Sequence, residues 1–236
     1  MNKIDTNGYR LEKTPNSCSY SLYIKGDYKK KLFLSLPRIP NMFYDDHENK
    51  IIFAAETVTQ LLPCVTEETE KRQETEKRQD TITYLQAINM IKCLSKQMNN
   101  LKRMSNLIFY GFNLDDILVI NKDTFIIVSS NHLLKIDDER NNNIIFNCPF
   151  MLPYFSSPEL IAVNTLPTEV DYRASYYSLG ALITFCLTNK YLFVGNEVMR
   201  ETDIEKVLQP IFYTKVYWFL KRCLTQKYEQ RQILFI

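Results

Sequence analysis

Residues 154–188 read YFSSPELIAVNTLPTEVDYRASYYSLGALITFCLT, and this stretch decides how the rest of the chain is interpreted. Its second half, Ala174–Leu187, is apolar on nearly every side of a helix, which is typical of a helix buried in the middle of a globular domain. Asp171 or Ser175 can cap its N-terminus, and Asn189 stands where a left-handed residue closes a helix. The segment is shorter than the roughly 20 apolar residues that cross a bilayer. A buried central helix is therefore predicted.

The composition is that of a folded globular protein. The chain has 236 residues, 45% of them hydrophobic, and a formal net charge of +2. A domain of this size can bury a sizeable core, and so small a charge does not suggest a nucleic-acid partner. Six cysteines are scattered without paired spacing, which indicates free thiols in a reducing compartment. Neither His47 nor His132 lies near a cysteine pair, so no zinc site is predicted. Without an apolar leader or a membrane-spanning run, we expect an intracellular protein, cytoplasmic or nuclear, with no membrane partner.

Four motifs resemble landmarks of the protein kinase family. Ser156–Glu159 is similar to the Ala-Pro-Glu motif that closes the kinase activation segment, and Ser175–Gly180 to the Asp-Val-Trp-Ser-Leu-Gly motif that opens its buried F helix. Thr188–Phe193 resembles the Thr-Gly-Lys-x-Pro-Phe sequence that often follows, and Leu224–Arg231 resembles the stretch that carries the family's late arginine. Each match is weak alone, but the four occur in the family's order and at close to its spacing.

The resemblance implies structural roles for five residues. Pro158 and Glu159 belong to the Ala-Pro-Glu motif, whose glutamate pairs in the family with the late arginine, here Arg231. Ser175 stands where an aspartate fastens the backbone of the kinase catalytic loop, and a serine can form a hydrogen bond there without a charge. Gly180 is the glycine of the F-helix motif.

The fold that the resemblance implies is α+β, a bilobal kinase-like domain. It divides into a minimal β-rich N-lobe at residues 1–65 without a clear C helix, a charged insert at the inter-lobe hinge at 66–81, and a mainly helical C-lobe at 82–236. Alternation of β-forming residues predicts the strands, and apolar positions repeating every three or four residues predict the helices. The predicted strands are Tyr9–Lys13, Tyr20–Lys25, Lys31–Leu36, Ile51–Ala55 and Gln60–Val65, and the predicted C-lobe helices include Ile82–Leu101, Ala174–Leu187 and Phe212–Leu224.

The charged insert is a tandem repeat. Thr69–Asp80 reads TEKRQETEKRQD, and its opposite charges recur at i,i+4 spacing along a solvated helix. Without an apolar face it has nothing to bury, so a mobile segment is expected.

The resemblance fails where a kinase binds phosphate. The glycine-rich loop lets backbone amides approach the nucleotide because no Cβ intervenes. Aligned on the family, Pro15, Ser17 and Tyr20 take the three glycine positions, and Ser35 takes the place of the strand lysine. Proline removes an amide donor and tyrosine adds bulk. We therefore do not expect ATP or Mg²⁺ to bind, and no cofactor is predicted.

The catalytic positions are also altered. Gly111 aligns with the aspartate that accepts the substrate proton, and it has no side chain to accept one. Ser129 aligns with the magnesium-binding aspartate, and a neutral hydroxyl cannot replace that carboxylate. Asp116 takes the place of the metal-binding asparagine and could still contact a cation; a metal site is not predicted.

Selective loss of the chemistry predicts a pseudokinase. Such a protein would act as a binding scaffold, decoy or allosteric regulator, with a protein partner such as an active kinase or its substrate. The alternative is an ATP-dependent phosphotransferase with a rearranged site. Its candidate metal ligands are Asp115, Asp116, Asp137 and Asp138, and its candidate phosphate ligands are Lys25 and Lys29–Lys31.

Overall fold

The structure is a computed structural model that describes residues 3–15, 17–37, 39, 41–61, 81–137, 142–194 and 197–235. The predicted repeat Thr69–Asp80, most of the predicted strand Gln60–Val65 and the candidate ligand Asp138 lie outside these residues. The described part is a mixed α+β protein, as the sequence predicts.

The N-terminal part is a five-stranded antiparallel sheet in the order β1-β2-β3-β5-β4. Side chains of the third strand alternate between half-buried and buried, so Tyr20, Leu22 and Ile24 face one side. Tyr20 stacks on Phe53 of the neighbouring strand, with ring centroids 5.7 Å apart. The strands are β1 (Lys3–Asp5), β2 (Tyr9–Lys13), β3 (Ser19–Ile24), β4 (Phe43–Asp45) and β5 (Lys50–Ala54).

A helix replaces one predicted strand. The segment Lys31–Leu36 was expected to be extended, but it lies largely in helix α1, Lys29–Ser35, so that prediction is wrong. In a strand, Leu32 and Leu34 would share a face. Instead Leu32 is fully buried, Leu36 is 7% exposed and Leu34 is 53% exposed, which is the i,i+4 pattern of a helix. The helix lies between β3 and β4.

The long helix α2, Tyr84–Ser105, confirms the helix predicted from its apolar stripe. Thr83 and Gln86 form a reciprocal capping box at its start, because each side chain bonds the other residue's backbone amide. Asn106 closes it in the left-handed conformation. Beside it lie two further antiparallel sheets. They are β6-β8-β9 (Val58–Gln60, Ile117–Ile120, Thr124–Ile127) and β12-β11-β10-β7 (Thr168–Asp171, Asn143–Phe146, Leu133–Asp137, Leu107–Phe109).

Helix α4, Ala174–Thr188, is the buried central helix that the sequence predicts. Every residue from Ala174 to Cys186 is buried. Asn189 closes it with a left-handed φ of 55°, as expected. At its start, Asp171 Oδ1 accepts a hydrogen bond from Arg173 N at 2.8 Å. The Ser175 hydroxyl, in contrast, donates to the carbonyl of Tyr172 and does not cap the helix. A Cβ on Gly180 would lie 2.8 Å from Cys223 Cβ, so glycine permits close packing of the helix that ends at Cys223. The remaining elements are α3 (Pro158–Ile161), α5 (Glu201–Leu208), α6 (Lys215–Cys223) and the ribbon β13-β14 (Phe193–Val194, Glu197–Val198).

Within the described ranges, no helix combines the length and apolarity needed to cross a membrane.

Candidate functional site

A cleft of about 510 Å³ lies where the N-terminal sheet meets the rest of the chain. The β1–β2 turn, Thr6–Gly8, forms one side of it. The other sides come from the segments that follow β7, β9 and β11. The lining residues are Thr6, Asn7, Gly8, Tyr110, Asn113, Asp115, Asp116, Asn131, His132, Phe150 and Met151.

Asp116 lies at the base of the cleft and is only 8% exposed. It ends a short 3-10 turn, Leu114–Asp116, and its carbonyl accepts a hydrogen bond from Val128 N at 3.0 Å. That bond brings Ser129 next to the carboxylate, so two residues that the sequence assigned to metal positions do lie together. Burial raises the pKa of Asp116 to about 6, although hydrogen bonds from Ser129 and Asn113 act in the opposite direction.

A hydrogen-bond chain fixes His132 beside this carboxylate. Tyr154 N donates to Asn113 Oδ1 at 2.9 Å, which turns the amide nitrogen of Asn113 toward His132. That nitrogen lies 2.8 Å from His132 Nε2 and is a donor, so Nε2 accepts and Nδ1 carries the proton. Nδ1 then donates to Tyr110 Oη at 3.0 Å. Burial lowers the pKa of His132, so the imidazole is neutral at pH 7, and its 3.7 Å approach to Asp116 is not an ion pair.

A second polar contact ties the N-terminal sheet to the cleft. Tyr9 Oη donates to the carbonyl of Asp115 at 3.0 Å and accepts from Gln60 Nε2 at 2.8 Å. Tyr9 is fully buried, and burial raises the pKa of its hydroxyl to about 12. The contact therefore joins β2, β6 and the turn that bears Asp116.

The β1–β2 turn lies directly against the segment that carries Ser129. A Cβ on Gly8 would stand 2.2 Å from Ser129 Oγ, so only glycine fits. Ser130 Oγ donates to the carbonyl of Lys25 at 2.8 Å. The ammonium group of Lys25 binds Asp5 Oδ1 at 2.9 Å and the carbonyl of Thr6, which holds it on the turn.

Gly111 lies where any side chain would collide. A Cβ there would stand 2.6 Å from Pro153 Cγ and 3.0 Å from the carbonyl oxygen of Phe155. Real Cβ atoms essentially never approach as closely as the first of these distances. An aspartate at this position would require the segment around Pro153 to move.

The contact expected of Ser175 is made by another serine. Ser175 Oγ donates to the carbonyl of Tyr172 at 2.7 Å, within the start of its own helix. Ser178, one turn further along α4, donates to the carbonyl of Tyr110 at 3.2 Å. The helix therefore does fasten the backbone beside Gly111, but through Ser178.

The positions predicted for a phosphate loop do not line the cleft. Pro15 and Ser17 lie in the β2–β3 turn, which is closed by a hydrogen bond of 2.9 Å from Thr14 N to the carbonyl of Ser19. Tyr20 is buried in β3. Ser35 is buried in α1, where its hydroxyl donates to Leu32 O at 2.6 Å. The turn of the N-terminal sheet that lines the cleft is Thr6–Gly8 instead.

The ion pair predicted between Glu159 and Arg231 is present and bidentate. Arg231 Nη1 lies 3.0 Å from Glu159 Oε2, and Nη2 lies 2.6 Å from Oε1. The guanidinium group also donates to the carbonyls of Thr225 and Gln226. Arg231 is 1% exposed, and its charge is fully matched.

The candidate ligands for a rearranged enzyme are dispersed. Asp115 and Asp116 line the cleft, but Asp137 lies in β10 and Lys30 pairs with Asp46 at 3.1 Å. Among the described residues, no group of three or more His, Cys, Asp or Glu side chains is placed to hold a metal ion.

Sequence reasoning missed Tyr110, Asn113 and His132. The only available signal was their position, because each follows a strand directly or within a few residues. Neither a protein-family model nor a curated protein matches this chain. The function is therefore argued from the site.

Proposed function

We propose that this chain is a catalytically inactive, protein kinase-like protein that works by binding another protein. It would serve as a scaffold, decoy or allosteric regulator, with an active kinase or a kinase substrate as partner. The proposal depends mainly on the surroundings of Gly111. Pro153 and the backbone of Phe155 occupy the space that the side chain of a catalytic aspartate would need at this position.

The order of elements supports the kinase-like part of the proposal. Three strands, helix α1 and three more strands precede the long helix α2, and all of them except the last strand, β6, follow the order expected of an N-lobe before the E helix. The bidentate contact of Glu159 with Arg231 is the one that the family makes between its activation segment and its last helices. The adjacency of Asp116 and Ser129 matches the family's two metal positions.

This order of elements also changes which residue aligns with the strand lysine of a kinase. Leu22–Lys25 at the end of β3 is similar to the Val-Ala-x-Lys pattern, which makes Lys25 the counterpart of the strand lysine in place of Ser35. Its ammonium group is bound to Asp5 and Thr6. Helix α1 reads KKKLFLS, so it has no glutamate to pair with that lysine.

Two features of the cleft oppose phosphoryl transfer. Catalysis of this reaction requires positioned positive charge around the phosphates and a carboxylate that holds Mg²⁺. Here the charged lining residues are Asp115 and Asp116, and Ser129 provides a hydroxyl packed on Gly8. A triphosphate would meet negative charge where it needs cations.

A thermal-shift titration with ATP and either Mg²⁺ or Mn²⁺ tests the proposal. We expect no saturable rise in melting temperature at millimolar nucleotide, and no transfer of labelled phosphate to the chain or to a generic acceptor protein. Saturable stabilisation at micromolar nucleotide would overturn the nucleotide-free form of the proposal, because a ligand that binds the folded state raises its stability.

The alternative of a rearranged phosphotransferase is favoured by one observation, the presence of both Asp115 and Asp116 in the cleft. It requires Lys25 to leave Asp5 and turn toward them. Lys25→Met would then abolish any nucleotide-dependent shift, whereas under the inactive assignment the variant and the parent chain give the same flat titration.

A further inference from the structure

We propose that the cleft binds a lysine or arginine side chain from an extended segment of a partner protein, with Asp115 and Asp116 as the counter-charges. This proposal makes the proposed binding role more specific. It rests on that role only for the assumption that the basic side chain belongs to a protein. The chemistry itself follows from the walls of the cleft.

The fixed charge of the cleft is negative. Among its lining residues, Asp115 and Asp116 are acidic and none is a lysine or an arginine. His132 is neutral because burial lowers its pKa, and its two ring nitrogens form hydrogen bonds with Asn113 and Tyr110. Adjacent carboxylates in a partly enclosed cleft concentrate a negative potential, which attracts a cation.

Asp116 has neutral donors but no cationic partner. Only 8% of the surface of Asp116 is exposed. The side chains of Ser129 and Asn113 donate hydrogen bonds to its carboxylate. Within the part of the chain that the structure describes, no lysine or arginine forms an ion pair with Asp115 or Asp116. A desolvated carboxylate gains most from a counter-charge that also donates hydrogen bonds, as ammonium and guanidinium groups do.

The rim of the cleft suits the aliphatic part of a long basic side chain. Phe150 and Met151 line it, and Met151 is 81% exposed. Lysine and arginine stems lie along apolar surface of this kind while their charged ends reach polar groups. Methionine adapts to varied ligands because its side chain is flexible and polarisable.

The apolar surface continues along the chain from this rim. Leu152 is 48% exposed and Tyr154 is 72% exposed. The segment is anchored to the cleft, because Tyr154 N donates to Asn113 Oδ1. A run of exposed apolar residues beside an anionic cleft indicates a partner segment in which a basic residue is flanked by apolar ones.

The probe is the peptide fluoresceinyl-Gly-Leu-Arg-Leu-Gly-amide, labelled at its N-terminus, and its matched control has citrulline in place of arginine. Citrulline keeps the shape and hydrogen-bonding capacity but lacks the charge. Fluorescence anisotropy with the full chain should show saturable binding of the arginine peptide and at least tenfold weaker binding of the citrulline peptide. Equal binding of the two peptides, or no binding of either, would overturn the proposal.

Variants locate the contact. Asp116→Asn should weaken binding of the arginine peptide at least tenfold, and Met151→Ser should weaken it several-fold by removing the apolar rim. Asp46→Asn makes the same change in net charge in the β4–β5 turn and should leave binding unchanged. Loss of affinity in all three variants would contradict a local contact, and unfolding is checked by circular dichroism of each.

Two further titrations separate the sources of the cation. Free agmatine carries the same guanidinium group without flanking residues, and we expect it to compete only at far higher concentration than the peptide. Competition at equal concentration would assign the cleft to a small cationic metabolite and overturn the protein source. An ATP-dependent thermal shift would refute the proposed inactive function. The peptide titration tests the binding of a basic side chain independently of that result.

Discussion

Arg231 donates from both terminal nitrogens to the two carboxylate oxygens of Glu159, at 3.0 and 2.6 Å, across 72 residues of sequence. The side chain of Arg231 has no exposed surface, whereas that of Glu159 retains 24%. The contact therefore holds the chain's last described segment against the start of α3.

Glu159→Gln should lower the free energy of unfolding by about 3 kcal/mol, because it leaves the Arg231 guanidinium buried without a compensating charge. Urea denaturation followed by circular dichroism measures the change. Glu205→Gln is the matched control, since its partner Lys221 is about half exposed and solvent screens the pair. Equal losses in the two variants would contradict a special role for the buried pair.

Gly111→Ala should destabilise the fold by about 2 kcal/mol, since the new methyl group must displace Pro153 or the backbone of Phe155. Thr165→Ser, at an exposed position, provides the baseline for a methyl-sized change in a loop. An alanine variant as stable as the parent would show that the segment around Pro153 yields easily, and the argument against a catalytic aspartate at 111 would fail.

Asp116→Asn should stabilise the protein at neutral pH and leave it nearly unchanged below pH 4. The carboxyl has its pKa raised from 3.8 to about 6, so the folded state loses stability as pH rises through this window. The full difference corresponds to roughly 3 kcal/mol at about 1.4 kcal/mol per pH unit. Thermal or urea unfolding between pH 4 and 8 measures it for both proteins.

His132 contributes in the opposite direction. Its pKa is lowered by burial, so its contribution to stability is lost as pH falls through the unfolded value near 6.5. The other groups near Asp116 are Asp115, Asn113, Ser129 and the hydroxyls of Tyr9 and Tyr110. Because all of them are common to both proteins, the difference in stability between the two proteins reports Asp116. A pH-independent difference would contradict the assigned titration.

Tyr9→Phe should cost about 1–2 kcal/mol, because Gln60 and the Asp115 carbonyl lose a buried hydrogen-bond partner. Tyr23→Phe on β3 is the matched control, with its ring over the Arg10 guanidinium at the sheet surface. Chemical denaturation compares the two, and a larger loss in the control would refute the predicted role of Tyr9.

The parts that the sequence predicts best are those with a long, unambiguous pattern. Helix α4 is apolar on all sides, α2 has a continuous stripe, and Glu159 with Arg231 follows from two motifs. Helix α1 was missed because its seven residues are too few to separate a period of two from one of 3.6.

The cleft was harder to predict because tertiary contacts create it. Nothing in the local sequence of Gly8 indicates that its turn packs on Ser129, so the sequence gives no reason to place the Thr6–Gly8 turn at the cleft. The chain of Asn113, His132 and Tyr110 likewise depends on side chains from different segments whose partners cannot be read from spacing.

The fit of Gly8 against Ser129 constrains how this protein could change over generations. Ser129 Oγ occupies the space that a side chain at position 8 would need, at 2.2 Å from its Cβ. An aspartate at 129 is larger than serine and would press on the same turn, so a single substitution to an acidic residue would loosen the junction. An acidic side chain would fit there only with compensating changes on both sides of the contact, and the present pairing therefore restricts which substitutions position 129 can accept.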